Sequence, residues 1–348
     1  MAESPIANSR ADVLALLARK RSRRIPCFSG LISLTTPGLE AAGVRLPEAH
    51  HDVQQMAAAA ASTYRLCGFE SAVVPFDLCV EAELLGGEVD FRADEIRPAF
   101  PRMQEAVAEA AAGYAPRLPA DWAQRGRLPV ITAALALLKD QVGGEVVIGA
   151  WVPGPMTLAM QIVDINTLVP DVAAEPEAVR ALLERLADIL AEVAGLYRAS
   201  GADFVTVHEM GGSPGYVGPR SFERVVLPPL QRLLRALPAP RVLSVCGRTN
   251  RAMALLASAG ADALSVDQTN DLAASRAVLG VDPLLFGNLD PVATLAEGDA
   301  AGVRAAVAAA VAAGADAIWP GCDLWPPVPV ENMKAMVEAA AQGQRPSG

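Results

Sequence analysis

Cations are in deficit in this chain: 29 Lys and Arg stand against 39 Asp and Glu, a formal net charge of -10. A surface that tracks phosphates draws most of its affinity from clustered Lys and Arg, so the balance argues against nucleic acid as a partner. Cysteine is scarce and odd in number, five residues without close spacing, which is not a disulfide framework and points to a reducing compartment. No apolar run reaches the length of a membrane span. The segment MAESPIANSRADVLALLARKRSRR is amphipathic and basic but lacks the unbroken apolar stretch of a signal peptide. The expectation is a soluble, cytoplasmic protein with no membrane partner.

What is present in quantity is hydrophobic: 52% of 348 residues, enough for a large core. The Ala-rich stretches, such as VRAAVAAAVAAGADAI, carry Leu, Val and Ile at helical spacing and read as helices rather than low complexity.

Short β-branched or apolar runs recur, each followed by Gly, Pro, Asp or Cys and then by a helical stretch. In order they are RIPCFSG, SAVVPFD, EVVIGAWV, DFVTVHE, RVLSVCG, DALSVDQ, PLLFGNLD and DAIWPGCD. Between them lie amphipathic helices, the clearest over Glu175 to Ala199, with Val179, Leu182, Leu183, Leu186, Ile189, Leu190, Val193 and Tyr197 on one face. Apolar strands alternating with helices imply a parallel sheet covered on both sides, and eight such units close a (β/α)8 barrel. The length beyond the roughly 250 residues usual for that fold fits an N-terminal helical extension over 1–24 and helices inserted after the second and third segments. The whole of 1–348 reads as one (β/α)8 TIM-barrel domain. An open doubly wound sheet is the alternative, but no Gly-rich phosphate loop follows the first segment.

In such a barrel catalytic groups come from the carboxyl ends of strands. The second segment ends at Asp77, with Cys79, Glu81 and Glu83 beyond. The fourth ends at His208 and Glu209, the fifth at Ser244 and Cys246, the sixth at Asp267, the seventh at Asn288 and Asp290, and the eighth at Cys322 and Asp323. Cys246 and Cys322, distant in sequence, would offer two thiolates to zinc, which keeps one position open at catalytic sites and would turn a thiol substrate into a thiolate. The alternative is that both are small buried hydrophobes. Asp77, Glu81 and Asp267 are candidate acid–base groups, and Asn288 and Asp290 candidate cofactor contacts. Cys27 and Cys67 read as structural and Cys79 as core. His50 and His51 fall in the polar loop LPEAHHD and read as surface residues.

The segments LPEAHHD, GFESAVVPFDLCVEAELLGGEVD, VIGAWVPGPMTLA, GPRSFERVVLPPL, GADALSVDQ, FGNLDPV and PGCDLWPPVPVENMKAMVEAA resemble the uroporphyrinogen decarboxylase superfamily, in its branch of zinc-dependent corrinoid methyltransferases. The resemblance implies a zinc site made from a His-x-Cys pair on the fifth strand and a distant Cys on the eighth. Cys246 and Cys322 match, but the histidine position holds Ser244. Glu209 is the preferred replacement ligand and His208 the alternative; successive strand residues face opposite ways, so only one of the two should point inward. Asp77 sits where the decarboxylases carry their catalytic aspartate. Their Arg-Gln-Ala-Gly-Arg pattern is replaced by PCFSGLISLTTPG, which has no cation for a polycarboxylate substrate. The resemblance therefore implies a methyltransferase acting between a corrinoid on a partner protein, as methylcobalamin or a related cofactor, and a small acceptor such as a zinc-activated thiol. A metal-free diverged enzyme and a non-catalytic corrinoid- or tetrapyrrole-binding module are the other readings.

Overall fold

The computed structural model describes residues 9–20, 24–95, 98–324 and 326–343. Six parallel strands form its central sheet: β1 (Ser71–Val74), β4 (Val147–Pro153), β5 (Phe204–Glu209), β6 (Arg241–Val245), β7 (Ala263–Val266) and β8 (Leu284–Phe286), neighbours in that order. β2 (Val89–Asp90) and β3 (Arg102–Met103) make a small antiparallel hairpin apart from it.

The first and eighth of the expected strand segments join this sheet through single bridges instead of ladders: Cys27 with Ile318, Phe286 with Ala317, and Leu289 with Pro320. Backbone hydrogen bonds from Ile318 to Pro26, from Phe28 to Ile318 and from Glu70 to Cys27 complete the circle back to β1. The thinning has a chemical cause, since Pro26 and Pro320 carry no N–H to donate. The architecture is a (β/α)8 barrel whose seam is its least regular part.

β1, β4 and β5 are buried along their whole length, as expected of parallel strands covered on both faces. The helix Pro176–Ala199 buries the same stripe of Val, Leu, Ile and Tyr residues that its periodicity marked. Inside the barrel, Gly30 lets Thr206 and Trp319 approach: a Cβ there would stand 2.0 Å from Thr206 Oγ1.

Of the expected extension over 1–24, residues 1–8 and 21–23 lie outside the described residues; Ser9–Leu17 is a helix. It seals the amino-terminal end of the barrel. Val13, Leu16 and Leu17 pack in one cluster with Phe28, Phe204, Phe286 and Trp319. Arg10 grips Asp203 at 2.7 and 2.9 Å, and Ser9 donates to Glu70 at 2.9 Å; both acids immediately precede strands. No helix among the described residues is long and apolar enough to cross a membrane.

Candidate metal and active site

At the opposite end of the barrel, His208, Cys246 and Cys322 converge, their ligand atoms all within 4.8 Å of one another. His208 is the penultimate residue of β5, Cys246 follows β6, and Cys322 follows the bridge at Pro320. The Cys246 Sγ lies 3.8 Å from His208 Nε2 and 3.0 Å from Cys322 Sγ. Zinc ligands about 2.0–2.3 Å from the metal at tetrahedral angles stand about 3.5–3.8 Å apart. The imidazole–thiol spacing fits that figure, and the two sulfurs would spread by under about 1 Å to meet it. A soft pair of sulfurs with one imidazole is the donor chemistry zinc takes, with a fourth position left over.

Charge in the cluster is shared. The contact between Cys246 and Cys322, together with burial, holds the Cys246 thiol well above its ordinary pKa. The same contact, helped by His208 and opposed by burial, holds Cys322 well below. Burial works against a charged His208, but Cys322, Asp323 and Glu209 outweigh it and raise the imidazole. Asp323, pushed up to about 7 by burial and by Cys322, accepts from the Ile32 amide at 3.0 Å. The indole of Trp151 stands edge-on to His208, with ring centroids 6.0 Å apart, and is itself fixed by donation to the Pro75 carbonyl at 2.8 Å.

Glu209, the preferred replacement ligand, is corrected by the structure. The strand pleat turns His208 into the barrel and Glu209 away from it. The Glu209 carboxylate instead accepts from the Met156 and Thr157 amides, the Thr157 hydroxyl and the Gly212 amide, at 2.6 to 3.1 Å. It sits at the amino end of the helix Pro155–Ile162, where the exposed N–H groups favour an anion. Thr157 Oγ1 accepts in turn from Met210 and Gly211. Glu209 is therefore the node that holds the loops after β4 and β5.

Asp77 is likewise committed. Its oxygens receive a bidentate Arg127 at 2.5 and 3.0 Å, His50 at 3.1 Å and the Cys79 amide at 2.8 Å. Burial opposes its charge, but the Arg127 guanidinium and His50 hold the carboxyl far below the carboxylate range. A carboxylate so paired is a structural anion, not the free acid–base group expected. His50 also departs from expectation: it is buried, because the insertion carrying Phe91 and Arg127 covers it. His51 stays at the surface, edge-on to Phe91. Glu81, buried in the same region, is pushed up to about 8 by desolvation, with Asp77 adding to the rise. Cys27, Cys67 and Cys79 are buried.

Asp267 stands close enough to Cys246 to help raise its pKa, and its carboxylate accepts from Thr269. Asn288 and Asp290, the candidate cofactor contacts, both make local bonds. The Asn288 amide donates to the carbonyls of Asp267 and Asn270, and Asp290 caps the helix Pro291–Ala296. Asn270 continues the staple, bonding Thr249, Asn250 and Gly247. Sequence reasoning missed Arg127, which lies in an insertion before the helix Leu128–Gln141 and away from every strand end; no local pattern marks it.

A family model described as Uroporphyrinogen decarboxylase (URO-D) matches residues 8–343. The methylcobamide:CoM methyltransferase MtaA of Methanosarcina barkeri is 28% identical over 344 residues, covering 95% of this chain and 96% of that protein. A methylated-thiol–coenzyme M methyltransferase of Methanosarcina mazei is 26% identical over 333 residues, covering 94% and 88%. A uroporphyrinogen decarboxylase of Geobacter sp. (strain M21) matches a shorter stretch, 239 residues at 26%, covering 66% and 67%. A solved methyltransferase structure from Methanosarcina mazei superimposes with a TM-score of 0.90 at 26% identity, covering 96% of this chain and 98% of that one. With the match running from the sealing helix to the last described one, the chain belongs to the uroporphyrinogen decarboxylase (URO-D) family.

Proposed function

We propose that the chain is a cytoplasmic, single-domain methyltransferase that moves a methyl group between a corrinoid, carried by a partner protein, and a small thiol acceptor at a zinc site made by His208, Cys246 and Cys322. The observation that carries this reading is the convergence of those three side chains at the strand ends. It is supported by end-to-end similarity to a protein named methylcobamide:CoM methyltransferase.

Zinc bound there would hold an acceptor thiol as thiolate at neutral pH. The chain's own part is to position and shield. Trp151 packs edge-on against His208, and the Glu209–Thr157 node and the Asn270–Asn288 staple hold the loops that carry the cluster. Asp323, its carboxyl pushed up to about 7 by burial and by Cys322, stands close enough to the sulfurs to exchange a proton as the acceptor changes charge. Holding donor carbon and acceptor sulfur in line then supplies much of the rate. Ser244, which favoured a metal-free relative, loses that force because His208 stands beside it.

The test is zinc content per chain of protein purified without chelator, together with methyl transfer from methylcobalamin to coenzyme M or homocysteine. The expected result is about one zinc per chain, lost along with transfer in Cys246→Ser and Cys322→Ser. A metal-free parent whose transfer survives both substitutions would overturn the proposal.

A further inference from the structure

Cys246 Sγ and Cys322 Sγ are 3.0 Å apart without being bonded. A disulfide requires about 2.05 Å, so closure asks for about 1 Å of combined movement. Both residues are partly exposed at the barrel mouth, whereas Cys27, Cys67 and Cys79 are buried. The pair is therefore the chain's accessible dithiol, and it lies where a small thiol acceptor would enter.

We infer that, without metal, this pair reduces a low-molecular-weight disulfide to two thiols and is itself closed to a Cys246–Cys322 disulfide. One cysteine, as thiolate, attacks a sulfur of the small disulfide. The S–S bond breaks, the first small thiolate leaves and takes a proton, and a mixed disulfide remains on the protein. The second cysteine gives up its proton and attacks the protein sulfur of that mixed disulfide, expelling the second small thiolate. Two cysteines are oxidised by two electrons and one disulfide is reduced by two. The products are two molecules of the class of compound that the proposed transfer consumes. The inference rests on the functional reading only in that metal and oxidation compete for the same two sulfurs.

The experiment treats the full chain, reduced and stripped with chelator, with bis(2-hydroxyethyl) disulfide, then alkylates remaining thiols and maps peptides by mass. The expected outcome is a cross-linked peptide pair carrying Cys246 and Cys322, with two equivalents of 2-mercaptoethanol released per chain. In Cys246→Ser a single equivalent is released and Cys322 keeps a mixed disulfide. Finding both cysteines of the parent alkylated, or each separately capped without a link, would overturn the inference. Zinc uptake by the reduced parent separates the two readings. A chain that cross-links but takes up no zinc retains this inference and loses the zinc site, and a chain that takes up zinc but never cross-links does the reverse.

Discussion

His208 on β5 and Ser244 on β6 are partners in the strand register, side by side at one level of the barrel. On the proposed reading, the imidazole that the family resemblance places at position 244 is supplied one strand over by His208, with the Ser244 hydroxyl beside it.

This transposition predicts a swap. His208→Ser should lower zinc affinity by at least about 100-fold, the loss of a ligand exceeding the 10–100-fold typical of outer partners. Adding Ser244→His to that variant should recover most of it. Competition against a chromophoric chelator reads both values; a double variant no better than His208→Ser would mean that the two positions do not address the same metal.

Glu209 should matter to folding rather than to ligation. Glu209→Gln keeps one acceptor oxygen but faces four donors that a carboxylate had satisfied. It should cost about 1–3 kcal/mol in urea denaturation, with the zinc content of the folded protein unchanged. Loss of zinc at unchanged stability would return Glu209 to the metal site.

Glu81 makes stability fall as pH rises. Its carboxyl is neutral in the folded chain up to about 8, whereas in the unfolded chain it ionises near 4.3. Ionisation therefore favours the unfolded state, starting near the unfolded pKa and levelling off above about 8. Glu81→Gln should remove this slope, leaving the variant more stable than the parent at pH 8.5 by an amount on the order of a few kcal/mol, and the two closely matched at pH 4. Melting curves across that range decide it.

Asp77 works with the opposite sign. Its depressed pKa supplies stability above the ordinary carboxylate range that is lost as pH falls below it. Arg127→Met alone leaves a buried carboxylate beside His50 and should cost about 3–5 kcal/mol. Combined with Asp77→Asn the loss should shrink, since neither charge is then stranded. A double-mutant cycle by denaturant unfolding measures the coupling, and additive losses would show the pair to be independent.

The strands were legible because parallel strands buried on both faces must be apolar throughout, as Val147–Pro153 is. That Cys246 and Cys322 meet at one mouth was legible because both follow strand segments of a barrel. What stayed hidden was direction and distance. Nothing in HEM tells a reader that the pleat turns His208 inward and hands Glu209 to the helix beginning at Pro155. Nothing in LPEAHHD shows that an arginine 77 residues further on will bury His50. Both depend on contacts between elements that no local pattern encodes.

The helix Ser9–Leu17 stoppers the amino-terminal end of the barrel with Val13, Leu16 and Leu17. With that end sealed among the described residues, on the proposed reading acceptor and donor share the opposite face, where His208, Cys246 and Cys322 stand. A small acceptor has to settle against Cys246 and Cys322 before a bulky donor protein covers the opening, and the methylated product has to wait until that donor departs. On that reading, the order of arrival and release follows from two partners of unequal size using one face of the barrel.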